Sequence, residues 1–130
     1  MYIDANFSTL LGRVLKSVER VDDECYGDTL VFTTDNGEIY KLYHSQDCCE
    51  SVTIEDICGD LEDLVGEPIL EANETSNSDS PKEQDGYTDE SFTWTFYSLR
   101  TRNGGVTIRW YGSSNGYYSE SVSFSQISEF

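Results

Sequence analysis

Short runs of alternating apolar and polar residues dominate the chain. From Arg13 to Val21 the text RVLKSVERV sets Val14, Lys16, Val18 and Arg20 opposite Leu15, Ser17, Glu19 and Val21, the period-two pattern of a half-exposed strand. Thr29–Thr34 and Glu38–Tyr43 form a β-hairpin across Asp35-Asn36-Gly37. Asn-Gly suits a type I′ turn, and Leu30, Phe32, Tyr40 and Leu42 are the predicted buried pairs. In Ser91–Thr101, Phe92, Trp94 and Phe96 oppose Thr93, Thr95, Tyr97 and Leu99; both faces are substantial, as in a central strand. Asn103-Gly104-Gly105 turns the chain, and Val106, Ile108 and Trp110 line the returning strand. A second turn at Gly112–Gly116 leads to a last strand with Tyr118, Glu120, Val122 and Phe124 alternating.

One stretch departs from that period. Ile54, Ile57, Cys58, Leu61, Leu64 and Val65 fall on one helical stripe, preceded by Thr53 and Asp56 in capping-box spacing and followed by Gly66 and Pro68. This predicts an amphipathic helix near residues 54–65, weakened by about 1 kcal/mol at Gly59, which leaves room for a break there. Pro68–Ala72 then resumes as a short strand, and Phe7, Leu10 and Leu11 anchor a helical turn or packed arm near the N-terminus. Residues 73–90 carry almost no apolar side chains and read as a mobile acidic loop. The expected fold is α+β: one antiparallel, curled sheet of roughly six to eight hairpin-connected strands with one helix packed on it, in a single domain spanning 1–130.

Charge changes the picture more than size does. The 130 residues hold 25 acids against 8 lysines and arginines, a net charge of −17. Such a balance disfavours nucleic acid and anionic lipid as partners and favours basic proteins. No apolar run reaches the roughly 18 residues that span a bilayer. The opening MYIDANFSTLLG is too polar for a secretory leader. Both point to the cytosol, where Cys25, Cys48, Cys49 and Cys58 are expected as reduced thiols.

His44, Cys48, Cys49 and Cys58 form an H-x3-C-C-x8-C set. Imidazole and thiolate are zinc ligands, and an imidazole can hold a nearby thiol as a nucleophilic thiolate. Adjacent cysteines converge on one ion only outside regular structure, and the C-x2-C knuckle is absent. Free thiols without metal are therefore favoured, with zinc or a thiol-dependent small enzyme as the alternative reading. The aromatics Trp94, Trp110, Tyr111, Tyr117 and Tyr118 can stack on bases or sugars. Only Arg100, Arg102 and Arg109 accompany them, so packing accounts for them better.

Asp56, Asp60 and Asp63 follow i, i+4, i+7 spacing, but an EF-hand ligand order is missing. Glu62 and Asp63 would end the predicted helix with no basic residue to answer the macrodipole. Between His44 and Glu90 fifteen carboxylates face Lys82 alone. A surface of Asp47, Glu50, Glu55, Asp56, Asp60, Glu62, Asp63 and Glu67 can imitate a nucleic-acid backbone, which carries one charge per ~1.7 Å of B-DNA axis, or simply keep the chain soluble.

HSQDCCESVTIEDICGDLEDLVGEPIL and WTFYSLRTRNGGVTIRWYGSSNGYYSESV resemble the signature of a family of small tailed-bacteriophage proteins with no assigned activity, over about Leu10 to Phe124. The resemblance implies a phage accessory product in the bacterial host cytoplasm. Small acidic phage proteins often block host machinery, including defence nucleases. The resulting expectation is a non-enzymatic, anti-CRISPR-like inhibitor that binds a basic host protein through its acidic 44–90 surface. A structural phage component is the remaining alternative.

Overall fold

The computed structural model describes residues 2–78 and 90–127. Among these, nine strands form two antiparallel sheets: β1 (Tyr2–Asp4), β2 (Leu15–Asp23), β3 (Gly27–Thr34), β4 (Ile39–Tyr43), β5 (Ser51–Cys58), β6 (Glu71–Asn77), β7 (Ser91–Thr101), β8 (Gly104–Ser114) and β9 (Ser123–Ile127). The first sheet has the order β1-β9-β4-β3-β2, the second β5-β8-β7-β6. The chain crosses between sheets through residues 44–50 and returns through residues 115–122.

The β3–β4 hairpin buries Leu30, Phe32, Tyr40 and Leu42 as its alternation predicts. Its turn differs. Gly37 alone takes a positive φ, +92°, and Asn36 does not, so Asp35-Asn36-Gly37 is a three-residue connection ending on a left-handed glycine rather than a type I′ pair. β7 covers Ser91–Thr101 and pairs on both sides, with β6 and β8. Thr95, Tyr97 and Leu99 point into the core and meet Ile108 and Trp110 there, all fully or nearly fully buried.

The expected helix is absent, which corrects the fold class from α+β to two mostly antiparallel sheets. Residues 51–58 form β5, and only a 3-10 turn, Leu61–Leu64, follows. The misreading has a physical cause. Pairing with β8 shifts register between Ile54 and Asp56, and such a bulge inserts one extra residue. The inward residues Val52, Ile54 and Ile57 are therefore spaced two and then three apart. The second interval matches helical spacing. The same device acts in β2, where a register shift between Leu15 and Ser17 places buried Leu15 and Val18 three apart. β5 is rich in β-branched residues, which favour strands. Gly59 ends it at φ +107°, and a Cβ there would lie 2.5 Å from the Gly105 carbonyl oxygen. The true N-cap is Asp60, whose carboxylate accepts from the Glu62 amide at 3.0 Å.

Two further expectations are corrected. Asn73–Asn77 of the expected acidic loop belongs to β6, an edge strand fully registered with β7 although Ala72 is its one buried residue; residues 79–89 lie outside those described. Tyr118–Val122 is a connecting loop, and the last strand starts at Ser123 and joins the first sheet. Near the N-terminus the expected turn is present as a 3-10 turn, Phe7–Leu10, with Phe7 and Leu10 buried and Leu11 exposed.

One core joins the sheets. Leu15, Phe32, Leu42 and Phe124 from the first pack with Ile54, Tyr97, Leu99 and Trp110 from the second. The segment after the 3-10 turn is stitched to both: Gly66 N–H donates to Leu15 at 2.9 Å, and Leu70 N–H donates to Arg100 at 2.7 Å. Leu64 is fully buried beneath it, a contribution of about 1.5–3 kcal/mol.

Candidate functional site

The candidate residues fall at the two ends of β5, which spans roughly 23 Å at ~3.3 Å per residue. Residues 44–50 enter it and the 3-10 turn leaves it.

At the entry the chain turns back around one carboxylate. The Glu50 side chain is fully buried. Its Oε2 accepts from His44 Nε2 at 2.9 Å and from the Asp47 amide at 3.0 Å; its Oε1 accepts from the Cys48 amide at 2.8 Å and from Gln46 Nε2 at 3.1 Å. Four donors thus occupy the lone-pair positions of a carboxylate. Burial pushes the group up, but the Cys48 amide, His44 and the Asp47 amide outweigh it and hold the carboxyl down at about 2. His44, 3% exposed, reaches the other way as well, with Nδ1 donating to the Ser121 carbonyl at 2.7 Å. The pair fastens residues 44–50 to the loop at 115–122.

This arrangement removes Glu50 from the expected contact surface: no partner reaches a side chain enclosed by its own turn. It also separates the metal candidates. Cys48 and Cys49 are bonded to each other as a disulfide, which corrects the expectation of four reduced thiols; their side chains lie side by side in a turn rather than on opposite faces of a strand. Cys58 is free and exposed at the far end of β5, where its thiol donates to Asp56 at 3.3 Å. The Asp56 hydrogen bond and charge push that thiol up, away from the thiolate a nucleophile or metal ligand needs. Both nitrogens of His44 are committed. Among the described residues no three of His, Cys, Asp and Glu gather as a metal site.

The remaining acids do not share a helical face. Asp47 is exposed beside the buried turn; Glu55 is half-buried at the β5 bulge; Asp56 is exposed and sits 3.9 Å from Arg109. Beyond Gly59, Asp60 and Glu62 are exposed and Asp63 and Glu67 half-exposed. Asp60, Glu62, Asp63 and Glu67 make no ion pair among the described residues. Elsewhere basic side chains do answer acids, as in Arg13–Glu38 at 3.0 Å and Arg100–Glu71 at 3.2 Å. The acidic character is therefore a rim along β5, an outer strand of its sheet, concentrated where the strand exits. β5 is also tied to the first sheet, since the Asp28 carboxylate accepts from the Ile54 amide at 2.9 Å.

Sequence reasoning missed the role of Gln46 and Ser121 around Glu50, and that of Glu120 in the loop they support. The separation of Ser121 from His44, 77 positions, leaves no local signal.

Two antiparallel sheets around one core thus carry a buried His–Glu pair at one end of β5 and exposed or half-exposed carboxylates at the other. The chain matches DUF7448, a domain of unknown function, over residues 8–124, and it belongs to that family. No curated protein and no solved structure matches it. No helix among the described residues is long and apolar enough to cross a membrane.

Proposed function

We propose that this protein is a binding protein whose acidic rim engages a basic, nucleic-acid-binding surface on a protein of the bacterial host, and that it acts as an inhibitor by occupying that surface. The observation that carries the reading is the cluster at Asp60, Glu62, Asp63 and Glu67: four carboxylates held at the exit of β5, capped and stitched in place, with no ion-pair partner among the described residues. Among the described residues nothing compensates these charges locally, where the chain is well ordered by hydrogen bonds, and this supports their availability to a partner. Asp47 and Asp56 extend the rim toward the entry of β5. The phage resemblance of the sequence supports a host protein as the target, and the net charge of −17 supports electrostatically steered association.

The test is capture on the immobilised full chain from bacterial lysate, with bound proteins identified by mass spectrometry. The expected catch is a basic nucleic-acid-binding protein that is released by competing duplex DNA and whose capture weakens at least about tenfold between roughly 0.05 and 0.5 M salt. Capture that is indifferent to both salt and DNA contradicts the reading.

A further inference from the structure

A concave site lies away from the exit of β5. Residues 115–122 fold back against β7 and are fastened at three points. Glu120 accepts from Thr93 Oγ1 at 2.8 Å and from the Ser114 hydroxyl. The Ser121 carbonyl accepts from His44. Gly112 allows the close approach, because a Cβ there would stand 2.7 Å from the Glu120 carbonyl oxygen. Between this loop and the inward faces of β6 and β7 is a groove of about 330 Å³.

Its lining is about half polar, and its charge is of one sign. Glu74 and Glu120 flank hydroxyls that include Thr93 and Thr95, and no Lys, Arg or His lines it among the described residues. Tyr97, paired across the strands with Glu74, is among the lining residues. It is fully buried, and its hydroxyl lies close to the Glu74 carboxylate without closing a hydrogen bond of normal geometry. A buried hydroxyl left unmatched costs about 1–3 kcal/mol. Burial, then the Glu74 carboxylate, push this phenol far above its usual range, so it stays a neutral hydroxyl able to accept or donate. Each Glu120 oxygen already accepts one hydrogen bond and retains capacity for a second.

We propose that this groove is a socket for a guanidinium group, presented by an arginine side chain of the basic protein partner; it rests on the proposed function above for the source of that arginine. The two carboxylates exclude an anion and leave a neutral sugar without compensating charge. A guanidinium brings five donors in a planar fork, suited to carboxylate and hydroxyl acceptors spread along a groove, where an ammonium brings three from one point. Tyr118, half-exposed on the loop, offers an aromatic face on which such a plane stacks.

The test is a titration of the isotope-labelled full chain with N-acetyl-arginine amide, followed by amide chemical shifts. Saturable shifts are expected for residues 74–76, 93–97 and 118–122. Neutral N-acetyl-citrulline amide should produce none at the same concentrations. Glu74→Gln should weaken binding about tenfold and Tyr97→Phe about threefold. Tyr97→Phe preserves the ring that packs 4.7 Å from Phe7, so its fold is retained. Absent shifts, equal shifts with citrulline, or affinity unchanged in both variants overturn the socket. Tighter binding of free arginine than of the blocked amide overturns the protein source. The titration reads the groove alone. A flat titration beside salt-sensitive capture removes the socket and keeps the rim, whereas a saturable titration beside salt-insensitive capture removes the protein partner.

Discussion

The two ends of β5 carry the same chemical group in opposite circumstances. At the entry, Glu50 is enclosed and receives four hydrogen bonds; at the exit, Asp60, Glu62, Asp63 and Glu67 lie exposed or half-exposed with no ion-pair partner among the described residues. The first carboxylate is consumed by the fold, which uses it to fix a crossing between sheets. Beyond the cap that Asp60 supplies, the others contribute little to folding and repel one another. Charge count alone places all of them on one surface. Burial and donor count separate them.

The comparison breaks most sharply at Glu50. Glu50→Gln replaces one acceptor oxygen with an amide that points donors at donors, and removes the charge facing His44. It should cost about 3–5 kcal/mol, read by urea unfolding. Neutralising the exit by Asp60→Asn, Glu62→Gln and Asp63→Asn should leave stability within about 0.5 kcal/mol, since asparagine retains the cap.

Acid should sharpen the same contrast. The Glu50 carboxyl is held at about 2, below its ordinary 4.5. A depressed folded value means that ionisation favours the folded state. The stability this contributes is complete above about pH 4.5 and is lost as pH falls toward 2. Protonation of the exposed acids relieves self-repulsion over the same range and works the other way. The difference between the wild type and Glu50→Gln isolates the buried group: it should shrink steadily below pH 4.5. A difference independent of pH from 6 to 2 contradicts an ionised Glu50.

Gly59→Ala gives a smaller but still clear effect. A left-handed φ and a 2.5 Å approach to the Gly105 carbonyl should together cost about 2 kcal/mol or more, measured by thermal unfolding. Because Gly59 leads directly into Asp60, amide shifts should move at residues 60–65 and remain in place at residues 44–50.

These positions also show how far the sequence was readable. Hairpin β3–β4 and strands β7 and β8 were legible because their alternation is uninterrupted and one face is buried. β5 was hidden by its bulge, which inserts a residue and converts strand spacing into an apparent helical stripe. β6 was hidden because an edge strand with one buried residue leaves no hydropathy pattern; its order comes from backbone pairing with β7. The acidity of the rim was legible in composition, its division into a buried and an exposed set was not. That division depends on His44, Gln46 and Ser121 meeting in space. The groove beneath residues 115–122 is equally non-local, since Glu74, Tyr97 and Glu120 come from separate parts of the chain.

The central claim is that the exposed acids at the exit of β5, and not the buried one at its entry, carry association. The most direct measurement is the salt dependence of affinity for the captured host protein, compared between the wild type and the Asp60→Asn, Glu62→Gln, Asp63→Asn variant. The account predicts a steep loss of wild-type affinity with rising salt. The folded variant should bind at least about tenfold more weakly at low salt and show a flatter slope. Equal affinities and equal slopes would contradict it.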